Sequence, residues 1–155
     1  MNNEKLFPEV DKNSIKSGIA SQRDVLYYPI ILKYLKNVLN GWHIAEFCMK
    51  MEKKNIALYA ITEFTDLILD DFRNSSSMDY IEGIYDRNSI KYNNKYRGIQ
   101  LNSVDTMLQN IKENKIDCII ICSFNSENAI FSELIENKNV DRHMIFSITE
   151  ILFMV

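Results

Sequence analysis

The sequence predicts an α/β fold: a parallel sheet of about four strands with helices on both faces. Two observations carry this. Short runs such as Ile56 to Ile61 and Cys118 to Cys122, within the longer run from Ile116, are apolar at every position, as strands buried on both sides must be. Between such runs lie segments whose apolar residues recur at helical spacing, such as Phe64, Leu67, Ile68 and Phe72. Strand and helix in alternation make a parallel sheet connected by crossovers.

The elements follow in order. The first dozen residues are polar and aperiodic and read as a loose arm. Pro29 suits the first turn of a helix, and the stripe Ile30, Leu32, Leu35, Val38, Leu39 predicts one over about 29 to 40, with room for a separate short helix before it. A second helix is expected over about 42 to 53, ending in lysines that suit its negative pole. The first strand, Ile56 to Ile61, leads through Thr62 into a helix. Tyr80 to Tyr85 is the second strand, and 86 to 96 reads as loop. Arg97 to Leu101 is a short extended piece. Ser103 caps a helix closing at Asn114. Ile116 to Cys122 is the third strand, Ser126 to Glu136 a helix, and Met144 to Ile148 the fourth strand. The apolar tail, Thr149 to Val155, makes a final turn or an edge strand. Right-handed crossovers and a most apolar third strand give the order 2-1-3-4, with the piece near residue 100 beyond strand 2. Residues 1–54 are read as an arm with two or three extra helices packed on residues 55–155, the whole a single compact unit.

Composition narrows the function. A net charge of −3 leaves no basic footprint, so no nucleic-acid partner is expected. MNNEKLFPEV lacks a basic stretch followed by an apolar one, and runs such as CIIIC are far too short to span a bilayer. A cytoplasmic chain with no membrane span is expected. Cys48, Cys118 and Cys122 are an odd set without disulfide-framework spacing and read as reduced, buried thiols. A zinc site joining them to His43 or His143 would need ligands from distant segments, so no metal is expected.

In an open parallel sheet, ligands bind beyond the carboxyl ends of the strands where the strand order reverses. Here that point lies between strands 1 and 3. The loops there supply Thr62, Glu63 and Phe64, then Asp86, then Ser123 and Asn125 as the candidate binding residues. Each has a structural alternative. Thr62, Ser123 and Asn125 can cap helices, Glu63 can complement a helix dipole, and Asp86 with Asn88 can form a turn. Asp70 and Asp71 point to different sides of a helix at the far end of the sheet and read as a solvated face. Tyr92 and Tyr96 read as loop packing rather than as a platform for a base. No Gly-x-Ser-x-Gly elbow, Tyr-x-x-x-Lys pair or Walker lysine is present, so no catalytic residue is nominated.

The succession WHIAEFCMKMEKK, NIALYAI, TEFTDLILDDF, YIEGIYDRN, KYRGIQL, SVDTMLQNIKENK and IDCIIICSF resembles a known family. It is similar to the small Rossmann-like domains of bacterial polysaccharide biosynthesis, including the N-terminal domains of nucleoside-diphosphate-sugar dehydratases and epimerases and of sugar acyltransferases. The resemblance implies a three-layer Rossmann-like sheet and a ribose-binding role for Asp86. Family members carry a Gly-Ala-Gly-Glu-x-Gly turn; here Glu63 is kept, while Ala60, Thr62 and Thr65 replace the glycines. Those glycines let backbone approach a pyrophosphate. The expectation is therefore a degenerate, non-catalytic accessory or interaction unit in surface-polysaccharide or sugar-nucleotide metabolism, without a cofactor, acting on a protein partner or as a homo-oligomer through its N-terminal helices. The alternatives are a binding module for NAD or a nucleotide sugar, and a sugar-nucleotide-modifying enzyme.

Overall fold

β1 (Ile56–Tyr59) sends Ile56 and Leu58 to one side and Ala57 and Tyr59 to the other, and all four are buried. β5 (Cys118–Ile121) does the same, with Cys118 and Ile120 on the first side and Ile119 and Ile121 on the second. Two such strands fit only the centre of a sheet covered on both faces. The computed structural model describes residues 22–154, with side chains from Tyr27 onward; the loose arm expected over the first dozen residues lies outside them.

β1 and β5 lie side by side, and β2 (Ile81–Tyr85), β4 (Ile99–Asn102) and β6 (Ile145–Ser147) continue the parallel array. A two-residue strand, β3 (Lys95–Tyr96), pairs antiparallel with β4. The six-stranded order is β3-β4-β2-β1-β5-β6. The loop expected over 86 to 96 thus contributes a strand and a short 3-10 turn, Ser89–Tyr92.

Six α-helices cover the sheet among the described residues. On one face lie α1 (Gln22–Leu39), α2 (Ile44–Lys50), α3 (Glu63–Asn74) and α6 (Ile148–Phe153), sharing a core that includes Ile30, Phe47, Ile68, Phe72 and Ile151. On the other lie α4 (Val104–Lys112) and α5 (Glu127–Ser132), which bury Met107 and Ile130 against Tyr59, Ile119 and Ile121. α5 runs on into a π-helical turn, Glu133–Asn137, that buries Leu134. The caps are local. Ser103 Oγ accepts from the Thr106 amide at the start of α4, and Ser147 with Glu150 forms a capping box that starts α6.

Three boundaries depart from the sequence expectation. Pro29 does not begin a helix; α1 runs through it from Gln22. Pro29 is exposed, so water can satisfy the carbonyl that loses its amide partner, while Ile30 next to it stays buried. α2 is shorter than expected because Glu52 turns left-handed (φ 56°), which leaves Lys53 and Lys54 outside it. The tail forms a helix, not an edge strand: Ser147 ends β6 and caps α6, whose Ile148, Ile151 and Leu152 are buried. No helix of the described residues is long and apolar enough to cross a membrane.

Candidate functional site at the carboxyl ends of the strands

The order reverses between β1 and β5, and their loops meet with that of β2. At Ala60, just beyond β1, φ is +77°, a backbone conformation that favours glycine. An alanine takes it here.

The amides of Ala60, Ile61, Thr62, Phe64 and Thr65 have acceptors within the chain. The Ala60 amide donates to the Tyr85 carbonyl (2.9 Å). Ile61 donates to Asp86 Oδ2 (2.9 Å), and Asn88 donates to Asp86 Oδ1 (2.7 Å), so both carboxylate oxygens hold backbone. Thr62 donates to Thr65 Oγ1 (2.9 Å), whose own proton goes to the Ala60 carbonyl (2.8 Å). Phe64 donates to Thr62 Oγ1 (3.1 Å), and that hydroxyl donates to the Cys122 carbonyl, tying the turn to β5. The Thr65 amide bonds the Thr62 carbonyl (3.0 Å). The start of α3 is thus a closed capping box between Thr62 and Thr65. In a phosphate-binding turn the free amides and the positive helix pole face the anion; here hydroxyls and a carboxylate of the chain already take these amides.

Aromatic rings close one side. Tyr27 of α1 stacks on Phe64 (centroids 5.4 Å apart) and meets Phe124 edge-on (5.3 Å). Phe64 is buried beneath them. On the opposite side of the turn a shallow crevice of ≈ 260 Å³ remains, lined by Ala60, Asp86, Arg87, Asn88, Ser123 and Ser126 over a floor of Tyr59 and Ile130. Arg87 crosses its edge, donating from Nε to Tyr59 Oη (3.3 Å) and pairing with Glu133.

Of the sequence-predicted residues, Asp86 and Ser123 line this crevice, and Thr62 and Phe64 form the turn. Glu63 is the exposed first residue of α3. Asn125 is exposed and lies outside the crevice lining. Neither Ser123 nor Asn125 caps α5; the cap position is Ser126, without a side-chain cap bond. Thr65, Arg87 and Phe124 lie in the three candidate loops without being singled out by the sequence, and Tyr27 lies outside them. Thr62-x-x-Thr65 has capping-box spacing and was legible, whereas Tyr27 and Phe124 are 97 positions apart and meet only in the folded chain.

The chemistry available is limited. Asp86 and Arg87 are the charged residues of the lining, and both are engaged. Cys122, which precedes Ser123, is fully buried, and burial pushes its thiol up to about 12, so it is no thiolate nucleophile near neutral pH. Cys118 is also held protonated, by hydrogen bonding with Cys48 and by burial.

At the other end of the sheet one expectation is reversed. Asp71 is buried rather than solvated: its Oδ2 accepts from the Ile44 amide (2.6 Å) and its Oδ1 faces His43 Nδ1 (3.1 Å) and Tyr34 Oη (3.5 Å). It thereby caps α2 from another helix. Burial, and then Asp71 itself, raise the Tyr34 phenol above its ordinary range. Asp70 does face outward, paired with Arg97 (2.8 Å) and Arg73 (3.2 Å). Tyr92 and Tyr96 meet edge-on at 6.2 Å, and Tyr96 bonds Asp66 (2.9 Å).

No protein-family model, curated protein or solved structure matches the chain.

Proposed function

We propose that this chain is a degenerate Rossmann-like domain, a non-catalytic accessory or interaction unit whose nucleotide turn serves as architecture. The observation that carries this reading is the internal bonding of the turn: the amides of Ile61, Thr62 and Phe64 go to Asp86, Thr65 and Thr62. A phosphate entering there would displace short intramolecular bonds and gain little. Placement in bacterial surface-polysaccharide or sugar-nucleotide metabolism rests on the resemblance of residues 42–150 to domains of those pathways.

Thermal-shift measurements with NAD, NADP, nucleotide sugars and coenzyme A test the proposal. A ligand at 100 times its dissociation constant adds about 2.7 kcal/mol. In a chain of this size that raises the melting temperature by roughly 5–10 °C. The reading expects no such rise with millimolar ligand, and a clear rise overturns it.

A second reading is favoured by the crevice. Its ≈ 260 Å³ beside Asp86 and Ser123 suits a nucleoside-sized group. This reading makes the chain a nucleotide or nucleotide-sugar binding module. Its signature is a shift with adenosine or uridine as large as that with the parent nucleotide, because the closed turn contributes nothing for the phosphates.

A further inference from the structure

α1 is apolar on both sides. Ile30 and Asn37 are buried against the domain, while Tyr28, Ile31, Leu32, Leu35 and Leu39 form a stripe at i, i+3, i+4, i+7 and i+11 on the opposite side, facing outward. Exposure along the stripe reaches 66% at Tyr28, 49% at Leu35 and 84% at Leu39. The end of α6 is exposed as well, on the flank of α1 that carries Lys33. Phe153 and Met154 are 59% and 61% exposed, and α6 is fastened to α1 where Asn37 Nδ2 donates to the Leu152 carbonyl (3.5 Å). A helix apolar all round is one covered on both sides.

We infer that this patch is a self-association surface, and that its occupant is α1 of a second copy of this chain. Three features select that occupant. First, the stripe exposes on the order of 500 Å², at the upper end of the largest patch usual on a monomer, and a contact over it on two copies covers about 1,000 Å² in all, the least that a specific interface needs. Second, the stripe has the spacing of a helix–helix seam about 16 Å long. A twofold axis passing between Lys33 and Tyr34 sets Tyr28 opposite Leu39 of the second copy, and Leu32 opposite Leu35, so the contact closes on itself. Third, charge lies only at the margin. Lys33 and Lys36 are the charged residues between 27 and 39, and Lys33 leans over the Phe153 ring (5.9 Å), leaving a polar rim about an apolar centre. Two lysines on a chain of net charge −3 are too few to favour an anionic lipid surface over a second copy. The dimer names a partner for the interaction role proposed above and rests on that reading for its use. The nucleotide thermal shifts and the association state are separate measurements, so either idea can fail alone.

Sedimentation velocity on the full chain over a concentration series up to about 100 µM tests this, a range that covers association at micromolar affinity. The expected species has twice the 18.2 kDa of one chain. Leu35→Asp and Leu39→Asp, both at exposed positions and each placing two charges in the seam, are expected to weaken association at least about 30-fold while thermal melting of the monomer stays cooperative. Ile90→Asp, at an exposed position far along the chain, is expected to leave it unchanged. A wild-type chain that stays monomeric throughout overturns the proposal. So does a dimer that survives both stripe substitutions, which would place the contact elsewhere. A monomer that instead binds phosphatidylserine vesicles, and loses that binding in Leu35→Asp, assigns the patch to a membrane and overturns the second copy.

Discussion

Thr65→Val removes one hydroxyl from the centre of the turn and keeps the shape of the side chain. Thr65 is fully buried, and its Oγ1 both accepts from the Thr62 amide (2.9 Å) and donates to the Ala60 carbonyl (2.8 Å). Each bond is worth about 1–1.5 kcal/mol net, and the Thr62 amide is left without its acceptor. The new methyl group recovers about 0.8 kcal/mol by burial, so the expected cost is about 2 kcal/mol. With a urea m-value near 2 kcal/mol/M, the unfolding midpoint falls by about 1 M at unchanged m. The same substitution frees an amide at the positive end of α3. Millimolar pyrophosphate is therefore expected to stabilise the variant more than the wild type, because the variant has one more amide to offer. A midpoint shift below about 0.25 M, equivalent to roughly 0.5 kcal/mol, would show that the hydroxyl network does not hold the turn and would refute the argument that the turn is closed.

Other substitutions probe the remaining strain and burial. Ala60→Gly relieves a positive φ that costs an L-residue about 1–2 kcal/mol, against about 0.5–1 kcal/mol of added chain entropy, so thermal melting is expected to rise by a degree or more; a lower melting temperature would contradict the φ assigned to Ala60. The neighbours Asp70 and Asp71 are expected to part company in urea. Asp71→Ala removes the buried acceptor of the Ile44 amide and costs about 3 kcal/mol, whereas Asp70→Ala stays within about 0.5 kcal/mol; equal losses would mean that Asp71 caps nothing. Stability is also expected to fall in alkali. The Cys122 thiol is raised in the folded state from 9.0 to about 12, so its contribution is complete below pH 9 and is lost as pH rises towards 12, at about 1.4 kcal/mol per pH unit. The phenols of Tyr34, Tyr85 and Tyr96, also raised, add to the fall above pH 10. The buried Cys118 thiol, raised too, adds to the same decline, so Cys122→Ala should lessen the slope between pH 9 and 10 without abolishing it, and an unaltered slope there would exclude the Cys122 thiol as a source.

Much of the architecture was legible because its causes are local. All-apolar β1 and β5, the stripe of α3 and the caps Thr62 and Ser103 each express a period or a side-chain-to-backbone bond within a few residues. Even the final helix had its signal in Ser147-x-x-Glu150, although an apolar tail of that length reads equally well as a strand. The site was legible in outline only. The loops that meet follow from strand order, and Asp86 and Ser123 were placed at the crevice.

What the sequence by itself determined is a set of element types and a strand-to-helix turn without glycine. The tertiary structure decided what that turn can do. It set a glycine-like backbone at Ala60, turned Asp86 inward to the Ile61 amide 25 residues earlier, and laid Tyr27 over Phe64 and Phe124. It also buried Asp71 while leaving Asp70 in water, and carried α1 through Pro29. The physical reason is range. Periodicity and capping act within one or two turns of chain, whereas the partner of a carboxylate or an aromatic ring is chosen by whichever distant segment packing brings within about 3–5 Å.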